Sequence, residues 1–263
     1  MRVSLFVTCL TDVFFPAAAV DAVRLLRSLG VEVDFPPGQT CCGQPAWNAG
    51  QAGTARKMAL ATERVLRGSE HVVLPSGSCA AMLRKAYPEL LGEANAAGHG
   101  NLPSLPERSW ELAQFLVHVL GVGELGEGLR GLRVAYHHGC HALRELGSRN
   151  EPLALLRGGG ADLVVWEADE ECCGFGGLFS VKLPEVSVAM ADRKLDTLPP
   201  VDVLTSADGG CLMQLQGRLR TRGVSLPVVP LATLLWRARE GGSTPTSPVG
   251  AARVSEGGDG GGR

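Results

Sequence analysis

Short apolar runs alternate with longer stretches of helical period along this chain. Residues 3–8 are apolar without helical spacing and read as a buried strand ending at Cys9. Pro16 opens a helix over 17–29 with Val20, Val23, Leu26 and Leu29 in phase, and Gly30 ends it. Val31, Val33 and Phe35 alternate as a second strand, closed by the turn Pro36-Pro37-Gly38. An amphipathic helix at 53–66, a strand at 71–74 and a helix at 79–87 follow. This βαβαβα order predicts a parallel sheet with right-handed crossovers. Residues 88–106 read as loop. Residues 107–120 read as a helix with Trp110, Ala113, Leu116, Val117 and Leu120 on one side.

The same order then returns. A glycine-rich link at 121–131 leads to a strand at 133–137, a short helix at 150–156 stopped by Gly158-Gly159-Gly160, and a strand at 163–166. A helix at 185–195, a strand at 201–205 and a helix at 211–222 complete the repeat. Val228-Val229 and a helix at 231–239 close it, echoing 107–120. The reading is α/β, two tandem pseudo-symmetric units at 1–121 and 132–240, each a small parallel sheet flanked by helices. Residues 241–263 are rich in Gly, Ser and Pro and predict a disordered tail.

The eight cysteines repeat with the elements. Cys140 lies 131 residues after Cys9, as do Cys172 after Cys41 and Cys173 after Cys42, and Cys211 lies 132 after Cys79. In each unit the three cysteine positions follow the three predicted strands. Strands of a parallel sheet end on one edge, so sequence-distant cysteines meet there, each near a helix N-terminus that favours thiolate. Four thiolates suit an iron–sulfur cluster or structural zinc. Adjacent cysteines such as Cys41-Cys42 chelate one tetrahedral ion poorly and suit different irons of a multinuclear cluster. The glycines after each pair allow backbone N–H groups to approach cluster sulfides. Metal thus reads ahead of core packing or redox disulfides.

Composition narrows the class. A net charge of −2 and a pI near 6.3 argue against nucleic-acid binding. No apolar run approaches the ~18 residues of a membrane helix. The apolar start followed by Ala17-Ala18-Ala19 imitates a secretory leader, but Asp12 interrupts it and Arg2-Val3 to Cys9 recurs as Arg133-Val134 to Cys140. A cytoplasmic location is expected, where thiols stay reduced.

Other motifs carry less. Gly121-Val122-Gly123-Glu124-Leu125-Gly126 matches a dinucleotide fingerprint but opens no βαβ unit. Gly174-Phe175-Gly176-Gly177 suits an attached cluster better than a phosphate. His137 and His138, beside Cys140, read equally as cluster or substrate contacts or as ordinary strand-end residues. His71, His99, His118 and His141 read as surface or packing residues. Ser76 and Asp208, each three residues before the last cysteine of its unit, are expected to be solvated loop residues before they are oxygen ligands.

Through Phe6-Val7-Thr8-Cys9, Cys41-Cys42-Gly43-Gln44-Pro45-Ala46, Pro75-Ser76-Gly77-Ser78-Cys79, Cys172-Cys173-Gly174-Phe175-Gly176-Gly177 and Arg218, the chain resembles the cysteine-rich CCG-domain proteins. It is similar, outside the tail, to the lactate utilization protein A family. The resemblance implies an iron–sulfur oxidoreductase component that works with two partner proteins to oxidise L-lactate to pyruvate. It implies Cys9, Cys41, Cys42 and Cys79, and Cys140, Cys172, Cys173 and Cys211, as ligands of 4Fe-4S clusters. Heterodisulfide reductase relatives carry Cys-x-x-Cys where Ser76 and Asp208 precede Cys79 and Cys211, so a four-thiolate cluster, or one occupied unit, stays open. So do zinc in one repeat of a scaffold subunit and a thiol–disulfide enzyme working through the vicinal pairs.

Overall fold

The structure, a computed structural model, describes residues 1–92 and 102–241; His99 and the tail beyond Gly241 lie outside the described residues. Two four-stranded parallel sheets carry the fold. The first has the order β2-β1-β3-β4, with β1 Arg2–Leu5, β2 Glu32–Asp34, β3 Val72–Leu74 and β4 Ser109–Glu111. The second has the order β6-β5-β7-β8, with β5 Arg133–Tyr136, β6 Asp162–Leu163, β7 Val203–Ser206 and β8 Val228–Pro230. Val3 sits opposite Val33 and Leu5 opposite Val73, and Val134 pairs with both Leu163 and Val203.

Around the first sheet lie α1 (Cys9–Phe14), α2 (Pro16–Ser28), α3 (Gln44–Asn48), α4 (Ala52–Leu66), α5 (Gly77–Ala81), α6 (Tyr87–Leu91) and α7 (Leu112–Gln114). Around the second lie α8 (Cys140–Glu145), α9 (Asn150–Gly158), α10 (Leu178–Lys182), α11 (Pro184–Asp196), α12 (Gly209–Thr221) and α13 (Leu231–Glu240). The central strands are continuous apolar runs because helices cover both faces: Val72, Val73 and Leu74 are all fully buried. The stripe that α2 buries is Ala18, Ala22, Leu25 and Leu26, while Val20 faces out.

The helix expected over 107–120 is corrected in its first turn, where Ser109–Glu111 forms an edge strand on β3. Trp110 and its apolar successors mimic helical spacing, but Ser109 and Glu111 are buried and their backbone completes the sheet. The second half signals the same order, with Val228–Pro230 as strand before α13. The helix expected at 79–87 is α5 and α6 joined by a π-helical turn, Met82–Ala86. Pro88 lacks an N–H and would clash with the carbonyl one α-turn back, which a wider turn relieves.

The two halves interlock. Helix α2 packs on α13, α1 on α12, α5 on α8 and α7 on α9. One apolar core accordingly draws Leu5 and Val73 from the first sheet, Val134 and Leu204 from the second, and Leu235 from α13. The link at 121–131 is no dinucleotide loop; its Gly128 lies against the Arg237 carbonyl and Gly126 against that of Ala238, leaving no room for a side chain.

Glu111 caps α7, accepting from the Ala113 and Gln114 amides at 2.9 and 3.1 Å. Burial pushes its carboxyl from the usual 4.5 up to about 7, against the pull of those amides. Between these values the folded chain keeps a proton that the unfolded chain releases, so stability falls as pH rises through that window. The span corresponds to about 3 kcal/mol. Glu111→Gln is expected to flatten this slope in urea titrations run from pH 4.5 to 7; an unchanged slope would rule Glu111 out as its source.

Candidate metal centre

Each cysteine position sits where a strand hands over to a helix. Cys9 and Cys140 are the first residues of α1 and α8, Cys79 and Cys211 lie in the first turns of α5 and α12, and the vicinal pairs occupy the loops after β2 and β6. The loop can turn at once because Gly43 and Gly174 adopt φ of 89° and 83°, which side-chain-bearing residues avoid. The turn aims amides back at sulfur: Gly174 N lies 3.4 Å from Cys172 Sγ and Phe175 N 3.5 Å from Cys173 Sγ. The Gln44 side chain donates to the Ser78 carbonyl at 3.1 Å, joining the first pair's loop to the Cys79 helix, and Tyr87 Oη donates to the Cys42 carbonyl at 3.0 Å.

Cys42 Sγ and Cys79 Sγ are 3.3 Å apart, and all eight cysteines are free thiols. Contacts run from Cys9 through Cys41 and Cys42 to Cys79, and from Cys140 through Cys172 and Cys173 to Cys211. The Cys41 thiol is held far below its usual range, first by Cys42, then by Cys9, with the Gly43 amide adding to this. Cys172 is lowered likewise, first by Cys140 and then by Cys173. Cys9 and Cys42, each against Cys41, are pushed up, as are Cys140 and Cys173 against Cys172. Cys41 and Cys172 therefore favour the thiolate while the two thiols touching each of them hold their protons, and an arriving cation would displace those protons.

Both quartets line one cavity of about 200 Å³, whose wall also includes Ser76, Ser78, His141, Phe175 and Asp208. Ser76 and Asp208 are not solvated, as their loop positions suggested; they are 4% and 3% exposed. Asp208 Oδ1 reaches from the second half to the first, accepting from the Ser78 amide at 2.7 Å and the Ser76 hydroxyl at 3.3 Å. It thereby ties the helix bearing Cys79 to the loop before Cys211. A Cβ on Gly139 would overlap its other oxygen, and one on Gly77 would lie 2.5 Å from Ala142 Cβ.

The remaining candidates separate. His118 pairs with Glu151 at 2.7 Å and His71 packs edge-on against Phe115, as packing residues do. His141 pairs with Glu145 at 2.5 Å, yet it also borders the cavity. His137 and His138 are buried, His138 edge-on against Tyr136. Arg218 grips Asp192 through two nitrogens at 2.8 to 3.0 Å, joining α12 to α11. Sequence reasoning missed Lys194, which stands over the Trp166 ring at 4.3 Å and donates to the Ala168 carbonyl. Burial pulls its ammonium down to about 8, while the charges of Cys173, Asp169 and Cys211 oppose that pull. Its place on the buried stripe of α11, beside Ser187, Ala191 and Leu195, was a legible signal.

The family profile described as CCG, cysteine-rich domain, matches residues 3–84 and 134–216. Lactate utilization protein A of Oceanobacillus iheyensis is 42% identical over 245 residues, covering 92% of this chain and 99% of its own length. Its namesakes from Geobacillus sp. (strain WCH70) and Geobacillus thermodenitrificans are 42% and 43% identical over 238 residues, covering 89% of this chain and 99% and 98% of theirs. The chain belongs to the lactate utilization protein A family. Each of the two CCG matches in this family member contains one complete quartet. Among solved structures, a solute-binding protein from Conexibacter woesei aligns over 88% of this chain and 71% of its own at 17% identity, with a TM-score of 0.28, too slight a likeness to carry an inference. Within the lactate utilization protein A fold, the clustered thiols and the amides turned toward them suit a thiolate-bound metal or iron–sulfur group.

Proposed function

We propose that the chain holds an iron–sulfur cluster in each of two repeats, at 1–121 and 132–240, and carries electrons released when L-lactate is oxidised to pyruvate. Cys9, Cys41, Cys42 and Cys79 would hold one cluster, and Cys140, Cys172, Cys173 and Cys211 the other. One observation carries the reading: both thiol quartets open on the same cavity. Bound clusters would supply one-electron acceptance, and lactate oxidation releases a pair of electrons. The Gly174 and Phe175 amides stabilise negative charge on the cysteine sulfurs. On the cavity wall Asp208 is engaged by Ser78 and Ser76, and His141 by Glu145. Removal of the substrate's protons is therefore assigned to a partner chain, and two partner proteins are expected in the assembly. The lactate in the relatives' names supports the substrate class. No helix among the described residues is long and apolar enough to cross a membrane.

Anaerobic reconstitution followed by iron and sulfide analysis and EPR tests the reading. About eight irons and eight sulfides per chain are expected if both repeats carry four-iron clusters. Iron near zero with stoichiometric zinc would defeat it. Deletion of the protein is expected to abolish growth on L-lactate as sole carbon source; unimpaired growth, with no other lactate dehydrogenase present, would defeat the substrate assignment.

A further inference from the structure

The two repeats differ at one buried position beside the thiols. Phe6 and His137 each follow the first strand of their sheet and precede its first cysteine by three residues. Their backbones are held alike: Phe6 N donates to the Val73 carbonyl at 2.9 Å, and His137 N to the Thr205 carbonyl at 2.8 Å. Both side chains are 0% exposed. Where the first repeat packs a benzene ring, the second buries an imidazole.

That imidazole is half satisfied. His137 Nδ1 lies 3.2 Å from the Asp169 carbonyl, which can only accept, so Nδ1 carries the proton. A neutral ring then presents a lone pair at Nε2, and Nε2 has no hydrogen-bond partner among the described residues. A ring nitrogen of His137 and the sulfurs of Cys173 and Cys211 all lie within 4.8 Å of one another. A cation placed among the imidazole nitrogen and the two sulfurs would satisfy all three at once. A backbone carbonyl on the opposite ring nitrogen is the usual means of orienting a metal-bound histidine.

We propose that the centre of the second repeat is a mixed imidazole–thiolate one, with His137 Nε2 binding a transition-metal ion alongside Cys173 and Cys211, while the centre of the first is all-thiolate. The inference rests on reading the quartets as metal sites, and it holds for iron in a cluster or for a lone zinc. The two centres are then chemically inequivalent despite their matched cysteines.

The full chain, labelled with 15N-histidine, reconstituted anaerobically with iron and sulfide and reduced, tests it by pulsed EPR. The expected result is a 15N coupling of directly bonded strength. It should vanish in His137→Phe, which copies Phe6, and persist in His138→Phe. In His137→Cys, where a thiolate replaces the ring, metal should stay while the coupling goes, separating ligation from mere folding. A cluster signal without nitrogen coupling in the unsubstituted chain, or a coupling that survives His137→Phe, would overturn the proposal. Failure to take up iron would defeat the iron–sulfur reading alone. Cobalt(II) titration of the metal-free chain then decides: His137→Phe is expected to weaken one class of site by at least about 10-fold and shift its ligand-field bands. An unchanged cobalt titration and spectrum would overturn the proposal.

Discussion

Cys42→Ser is expected to cost the reconstituted protein about half of its iron and one of two EPR signals, and Cys173→Ser the other half and the other signal. Both residues lie at the buried heart of their quartets. Cys42 touches Cys41 and Cys79, and Cys173 touches Cys172 and Cys211, so each change removes the sulfur that links the exposed side of a quartet to its buried side. A hydroxyl is a poor substitute for a soft thiolate toward iron. Lactate-dependent electron transfer should fall by orders of magnitude in both variants, because a relay through two centres fails with either one. Loss of both signals from a single substitution, in a variant whose apo form melts normally, would instead indicate one shared centre.

The second large effect is expected at Asp208. Asp208→Ala leaves the half-buried Ser78 amide and the buried Ser76 hydroxyl without their acceptor and is expected to cost about 1–3 kcal/mol in urea unfolding. Asp208→Asn keeps a carbonyl oxygen and should recover part of that loss. Gly139→Ala should destabilise by itself, because its methyl group meets the same carboxylate. With Asp208→Ala already in place that obstacle is gone, so the double variant should be more stable than the two single effects sum to, by about 0.5–3 kcal/mol. Additive losses would show that Asp208 and Gly139 do not act on each other.

Much of this site was legible because cysteine is sparse and its spacing is unforgiving. A parallel sheet converts the separations among Cys9, Cys41 and Cys79 into proximity, and the matching offsets for Cys140, Cys172 and Cys211 made the duplication plain. What stayed hidden was of two kinds. Ser109–Glu111 escaped because a three-residue edge strand carries too few positions to show a period, and Trp110 fell in phase with the helix after it. Asp208 and Ser76 escaped because their burial comes from the opposite half, and no local pattern reports that. His137 stood in plain view beside Cys140. Its meaning needed the comparison with Phe6 and the knowledge of which ring nitrogen was already engaged.

The crossing of α1 onto α12, and of α8 onto α5, has a consequence for how the molecule can be divided. The helix opened by Cys9 leans on the one that carries Cys211, and the helix opened by Cys140 leans on the one that carries Cys79. Each unit thus supplies a retaining wall for its twin's sulfur atoms. A fragment cut within 121–131 would keep all four of its own thiols and still lack the scaffolding that holds them in place. The two repeats are therefore expected to fold as one unit and not singly.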